Sequence, residues 1–362
     1  MHKTGLASLA LQKFKKNFWG VSSFWFIVFM AFISLFAYVL APDNSQFANQ
    51  MHLSIHSKKP GFSVKMLVVP STLIDHQSFF DRVFFGDKTP DLEIPVSSYQ
   101  LKPHNILYTD YASEGLKDLE KSIDFTSDMT FSSRPYITER SFYFGTDKYG
   151  RDLLSRILVG ARISFSIGFV AVFISLVIGL LLGSIAGYFG GRWDALIMWF
   201  INVTWSIPTL LLVIAITLAL GKGFWQVFIA VGLTMWVEVA RLVRGQVMGV
   251  KEMQYVTAAR ALGFTDYRII VKHILPNILA PVIVISAANF AAAILIESGL
   301  SFLGIGAQPP MSSWGAMIKD HFNYMILGKP YLALIPGLCI MSLVMAFMLV
   351  GNSLRDALDV KA

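Results

Sequence analysis

Charge and cysteine are what this 362-residue sequence has least of. Only 15% of its residues are Asp, Glu, Lys or Arg, where soluble domains carry about 25%. So little charge cannot cover a composition that is 55% hydrophobic with a polar shell. Cys339 is the single cysteine, which rules out a disulfide within the chain and a cysteine-rich zinc site. Enzyme signatures are missing as well. There is no Gly-x-x-x-x-Gly-Lys-Ser/Thr phosphate loop, the nearest fragment being Gly221-Lys222-Gly223. There is no His-Glu-x-x-His helix and no Gly-x-Ser-x-Gly elbow. His52, His56, His76 and His104 lack ligand-like spacing, so no metal site is expected.

What the chain has is long apolar runs. A bilayer core of about 30 Å takes roughly 20 apolar residues per helix. By that ruler about six spans are expected, at 19–40, 163–188, 195–220, 225–243, 278–303 and 331–351. Pro208, Pro281 and Pro336 fall inside three of them, which neighbouring helices and Ser/Thr groups can accommodate. The first run exceeds the 7–15 residues of a signal-peptide core and reads as a retained anchor. The fold class is therefore all-α and polytopic.

The net charge of +7 follows topology. Lys3, Lys13, Lys15 and Lys16 precede the first span, and Arg241, Arg244, Lys251, Arg260, Arg268 and Lys272 crowd the loop before the fifth. Basic residues collect on the cytoplasmic side, so both termini are expected there, and nucleic acid is not an expected partner. The stretch 41–140 differs in composition, with Ser, Asp, Lys, Pro and a strand-like run at 62–69. It reads as a small external α+β insertion, dividing the chain into 1–40, 41–140 and a core at 141–362.

One cytoplasmic loop, 246–277, carries more pattern than a link between spans needs. Residues 255–262 are rich in Ala and Leu, and Gly263 follows as a left-handed helix stop. Thr265 is placed to cap a second helix, with Asp266 in its first turn, and Pro276 closes the segment. Ala258, Ala259 and Ala261 leave the first helix narrow enough for another protein to approach closely.

These residues resemble the signature of inner-membrane permeases of ABC importers: Glu-Ala-Ala, three residues, Gly, nine residues, Ile, one residue, Leu-Pro. Ala258, Ala259, Gly263, Leu275 and Pro276 match in register, while Thr257 replaces the Glu and His273 the Ile. Gly145-Thr-Asp-Lys-Tyr-Gly-Arg-Asp152, Gly160-Ala-Arg162, Gly187-Tyr-Phe-Gly-Gly-Arg-Trp-Asp194, Glu297-Ser-Gly-Leu-Ser-Phe-Leu-Gly304 and Trp314-Gly315 are similar to the second permease of the dipeptide/oligopeptide branch. The resemblance implies the type I importer permease fold in a bacterial cytoplasmic (inner) membrane. It implies a homologous second permease, two cytoplasmic ATPases that bind the ATP and Mg²⁺, and an external substrate-binding protein. It assigns this chain no cofactor and no catalysis. ATPase coupling would fall to Tyr255, Ala258, Ala259, Arg260, Leu262, Gly263, Leu275 and Pro276. The rival expectation is a stand-alone secondary transporter or channel; no internal repeat supports it.

Polar residues inside the spans are candidates for a pathway or gate. Asn202, Thr204 and Ser206, beside Pro208, either line a pathway or repair the hydrogen bonding that the proline breaks. Glu238 and Arg241 are placed for a helix-surface ion pair or a gate. Glu297 either faces an aqueous cavity or accepts hydrogen bonds from its surroundings. Gly179, Gly183 and Gly187 have the spacing of close helix packing.

Overall fold

The computed structural model describes residues 6–71, 77–102, 104–113, 120–124, 135–221 and 223–358. It contains helices α1 (Leu6–Lys16), α2 (Phe18–Leu35), α3 (Ala37–Leu40), α4 (Phe79–Phe85), α5 (Leu153–Phe189), α6 (Gly191–Trp205) and α7 (Thr209–Leu220). There follow α8 (Phe224–Val250), α9 (Gln254–Ala261), α10 (Asp266–Ile269), α11 (Leu275–Phe302), α12 (Trp314–His321) and α13 (Tyr331–Leu358). Five strands, β1 (Phe62–Val69), β2 (Leu92–Leu101), β3 (Asn105–Asp110), β4 (Glu120–Asp124) and β5 (Tyr136–Phe142), lie between α3 and α5. Two compact units emerge. One comprises Met1–Ala31, Ser164–Gln308 and Leu338–Ala362, the other Phe32–Ile163 and Pro309–Gly337.

The first unit is helical. Among the described residues five helices are long and apolar enough to cross a membrane, and the bent pair α6 with α7 makes six if it is counted as one span. Here the structure corrects the sequence. The run 195–220, expected as one span, is two helices meeting at 92°. Pro208 has no N–H to donate, and the residue before a proline is pushed out of the helical region. Ser206 Oγ donates to the Val203 carbonyl at 2.7 Å and Thr204 Oγ1 to Phe200 at 2.9 Å. Both hydroxyls thus serve their own helix at the break. Pro281 and Pro336, by contrast, sit inside unbroken helices.

The second unit holds an antiparallel sheet of order β4-β3-β2-β1-β5, the α+β element expected of the insertion. β1 alternates as a strand buried on both faces must. Val64, Met66 and Val68 pack with Ile55 and Phe142, while Leu67 packs with Val96, Ile106 and Tyr108 on the other face. Arg140 is the register partner of Val64, so a boundary at 140 would cut through β5. The compact unit instead runs to Ile163 and recruits Pro309–Gly337.

The turn 145–152 ties this unit together. Asp147 is fully buried. Its Oδ1 accepts from the Tyr149 and Arg151 amides at 2.8 and 3.0 Å, and its Oδ2 from Arg151 Nε at 2.6 Å. Its acceptors are thus taken by the chain itself, and among the described residues no acidic or histidine cluster is arranged for a metal. Further along, Gly160 leaves the slot for Trp314, whose indole Nε1 donates to the Ile157 carbonyl at 3.0 Å. A Cβ at Gly160 would lie 2.9 Å from that ring.

Gly61 and Gly150 offer a matched test of this packing. Both have left-handed φ, +80° and +75°; a methyl at Gly61 meets nothing within 4 Å, whereas one at Gly150 lies 1.8 Å from the His52 carbonyl oxygen. Gly61→Ala is expected to cost about 1–2 kcal/mol of backbone strain. Gly150→Ala costs more, because the backbone around His52 must move. The Ser57 and Lys58 amides donate into the 146–147 turn at 2.8 and 2.9 Å. Their hydrogen exchange should accelerate in Gly150→Ala and stay near wild type in Gly61→Ala.

Candidate functional site

The site begins with the helix that supports it. Along α5, Gly179, Gly183 and Gly187 form a stripe without side chains, and α8 lies directly on it. A Cβ at these glycines would meet Val239 at 2.5 Å, the Ala240 carbonyl at 2.6 Å and the Arg244 carbonyl at 2.8 Å. Small residues at this spacing let helix backbones approach closely within a membrane. The residues of α8 seated on this stripe are Val239, Val243 and Val247, all fully buried. They join Tyr188 in a core with Val256, Ala259, Ile269, Ile274, Ile278 and Val282.

That core seats a helical hairpin. α8 ends at Val250, and after a three-residue turn α9 runs over Gln254–Ala261. α9 closes with a Schellman arrangement. The Gly263 amide donates to the Arg260 carbonyl at 3.0 Å and the Phe264 amide to Ala259 at 3.2 Å, with Gly263 at φ +76°. A left-handed glycine at this position satisfies the orphan carbonyls of the last turn. The chain then reverses into α10. Thr265 occupies the cap position, yet its side chain makes no capping bond. Asp266 is held instead from outside the hairpin, its Oδ1 accepting from the Tyr188 hydroxyl at 2.6 Å.

Nor does Pro276 close the segment. α10 passes through one wide π turn, Ile270–Ile274, directly into α11, so 266–302 is one continuous apolar helix. The proline sits in the first turn of α11, where its missing N–H costs least, and the widened turn ahead of it relieves the clash its ring would make.

The hairpin has two distinct faces. Val256, Ala259 and Ile269 point into the core. Tyr255 is 44% exposed, Leu262 74% and Tyr267 76%, with Ala258, Arg260 and Gly263 exposed beside them. Of the residues singled out in the sequence, Ala259 faces inward, Leu275 is half-buried and Pro276 is exposed at the start of α11. The remaining five share the open side of α9 and its turn. The neighbouring Tyr188 hydroxyl raises the Arg260 guanidinium above its ordinary range, and the exposed group is a cation in any case. Arg268 stacks at 4.1 Å on Phe264, whose ring also lies against His273.

A second feature forms at the break between α6 and α7. A cavity of about 190 Å³ is lined by Thr204, Trp205 and Thr209 from the broken pair, Thr234 and Glu238 from α8, and Ala292 and Ile296 from α11. Glu238 and Arg241 do not form the expected helix-surface pair. Arg241 turns across to α6, lying 3.6 Å above the Trp205 ring and donating to Asn202 Oδ1 at 3.1 Å. Stacking and a fixed acceptor hold a guanidinium better than a flexible neighbour one turn away. Of the candidate residues, Glu238 lines the cavity, whereas Asn202 is bound to Arg241 and Ser206 to the Val203 carbonyl of its own helix. Glu297 does not line it: it is fully buried and accepts from Ser301 Oγ at 2.7 Å, and that same oxygen receives the Ala307 amide.

Sequence reasoning missed three supports of this site: Tyr188, Asp194 and Trp205. Asp194 makes a two-pronged ion pair with Arg244 of α8, one prong at 2.6 Å, fixing the start of α6. Tyr188 and Asp194 both lie in the turn 187–194 that drew notice for its resemblance alone.

Comparison with known proteins now bears directly on this geometry. The profile of the binding-protein-dependent transport system inner membrane component matches residues 179–361, which include the hairpin and the cavity. The chain belongs to this family. A second profile, the N-terminal TM domain of oligopeptide transport permease C, matches residues 5–60. Residues 61–178, with all five strands, lie outside both profiles.

Relatives of this inner membrane component include the glutathione transport system permease protein GsiD of Escherichia coli O6:K15:H31, 44% identical over 60% of this chain and 72% of its own. The oligopeptide permease protein OppC of Escherichia coli K12 is 42% identical over 66% and 78%. The dipeptide permease protein DppC of Alkalihalophilus pseudofirmus is 44% identical over 60% and 72%. Among solved structures, the MetNI methionine ABC transporter in an inward-facing form gives a TM-score of 0.46 at 18% identity, covering 56% of this chain and 95% of that one. As a member of this family the chain is a multi-pass inner-membrane permease subunit of an ABC importer.

The Tyr188–Asp266 bond tests how the hairpin is held. Tyr188→Phe removes a hydrogen bond to a charged group, worth about 1.5–3 kcal/mol. Hydrogen exchange at the Ile269 amide, which closes the first turn of α10, is expected to speed up. Exchange in the middle of α8 should stay unchanged.

Proposed function

We propose that this permease forms half of the translocation pathway of an importer for dipeptides or oligopeptides, driven through its α9 hairpin by separate cytoplasmic ATPases. The observation that carries the proposal is the two-faced hairpin: one side locked onto α8 and α11 by a fully buried core, the other open. Leu262 and Tyr267 are too large and too exposed for a loop that merely joins two spans. The open face suits a groove on another protein, and its anchorage lets a displacement there reach α8 and α11 as rigid bodies.

The cargo reading rests on the relatives, whose names give glutathione, dipeptides and oligopeptides. All are peptide-bonded solutes. In this reading a second, homologous permease completes the pathway and an external binding protein delivers the solute. ATP and Mg²⁺ bind to the partner ATPases, and this chain needs no cofactor. Both termini lie in the cytoplasm, supported by Lys13, Lys15 and Lys16 in the last turn of α1, just ahead of the first span. Asn202, Ser206 and Glu238 border the pathway at the broken helix, where half-helix ends commonly meet solute in transporters. Glu297 is assigned to holding the turn after α11. The cycle needs only that ATP and delivered solute bind two states of the assembly with different affinity.

Gly263 provides the test. A side chain there meets no neighbour within 4 Å, so substitution perturbs the backbone alone. Gly263→Val is expected to strain the turn by about 1–2 kcal/mol and to uncouple ATP hydrolysis from uptake in proteoliposomes. Gly263→Asn, which tolerates the left-handed region, should stay close to wild type. Normal coupled uptake by the valine variant would remove the hairpin from the mechanism. The chain purified alone should hydrolyse no ATP above background, and sustained turnover would contradict the division of labour.

A further inference from the structure

The second unit carries an aromatic surface that the permease reading does not use. α4 has the sequence Phe-Phe-Asp-Arg-Val-Phe-Phe and buries only Val83. Phe79, Phe80 and Phe85 are 73%, 69% and 57% exposed, and Phe84 is 37% exposed. Four exposed phenylalanines in seven residues are costly to leave in water. Something must cover them.

The surroundings of α4 identify the cover. α4 packs against α3, the short helix that continues the first span. Gly86 closes α4 at φ +74° because the Tyr38 ring leaves no room, a Cβ there falling 2.8 Å from it. Arg162 clamps the two together. Its guanidinium lies 5.4 Å from the Tyr38 ring and 5.6 Å from the Phe84 ring, and Nη1 donates to the Val83 carbonyl at 3.3 Å. Beside this clamp, Leu35, Val39 and Leu40 at the end of the span are themselves 46–59% exposed. The phenylalanines thus continue an apolar surface that already belongs to a membrane-crossing helix.

We propose that α4 is an interfacial membrane anchor. Its phenylalanines sink among lipid headgroups and upper acyl chains beside the first span, tethering the connection between β1 and β2 to the bilayer. The occupant is lipid rather than protein, because the aromatic face is continuous with the lipid-facing end of the span. With Asp81 and Arg82 offsetting each other, attachment is apolar rather than electrostatic.

The test places nitroxide labels on the full chain in nanodiscs of phosphatidylethanolamine and phosphatidylglycerol. Cys339→Ala removes the native thiol, and Phe80→Cys or Phe85→Cys supplies the attachment point. Val39→Cys serves as the lipid reference and Lys121→Cys, on β4, as the aqueous one. At both phenylalanine positions, collisions with oxygen should exceed those with a water-soluble nickel chelate several-fold, as at Val39, with the order reversed at Lys121. A Lys121-like ratio would put the face in water and overturn the proposal. Exclusion of both reagents would put a protein partner there and overturn it equally. On the unaltered chain in the same nanodiscs, hydroxyl-radical oxidation should spare Phe79 and Phe80. Oxidation as fast as that of half-exposed Tyr136 would contradict lipid burial even if the cysteine variants failed to fold.

Discussion

The close approach of α5 and α8 governs the helical unit. Three glycines, Gly179, Gly183 and Gly187, remove the side chains that would otherwise hold the two backbones apart. In a membrane this contact gains nothing from expelling water; it rests on van der Waals packing and backbone proximity. Its consequence is reach. Because Val239, Val243 and Val247 of α8 are themselves seated on these glycines, they form a fixed floor, and Val256, Ala259, Ile269 and Ile274 of the hairpin complete the same core. Tyr188 links the two levels, one residue after the last glycine of the stripe and bonded to Asp266 of the hairpin.

From that floor a mechanical arrangement follows. The hairpin is continuous with α8 through a three-residue turn and with α11 through the π turn, so neither end is a slack linker. Both helices also line the cavity at the α6–α7 break. On the proposed function, a push on the open face of α9 would tilt the two helices that border the pathway. The Asp194–Arg244 pair and the Arg241–Trp205–Asn202 contact carry the same motion to α6. Coupling of this kind needs packed elements with two arrangements rather than a wire of particular residues.

Much of this was readable from the sequence because the relevant rules are local. Apolar length marked the spans, glycine spacing marked the α5–α8 contact, and Gly263 marked a left-handed helix stop. β1 could be read as a strand-like apolar run to its observed ends, 62–69. What escaped depended on partners distant in sequence. Arg241 pairs with α6 rather than with Glu238, since Trp205 offers an aromatic face that no helical spacing rule foresees. Pro208 breaks its span whereas Pro281 and Pro336 do not, a difference that the presence of a proline alone does not predict. Pro276 was misread as a stop because a π turn has no sequence signature. The boundary at 140 falls inside β5, which pairs with β1 across more than seventy residues.

On the proposed function, a separate ATPase takes hold on the open face of α9. The direct measurement is cysteine cross-linking in the assembled transporter, with Cys339→Ala as background and single cysteines at Ala258, Leu262 and Gly245. Gly245 lies on α8, outside the hairpin. A short bifunctional maleimide should join Ala258→Cys and Leu262→Cys to a co-purifying ATPase subunit, with a yield that changes on adding ATP. Gly245→Cys should give no such product. Equal yields at all three positions, or none at Leu262, would contradict the account.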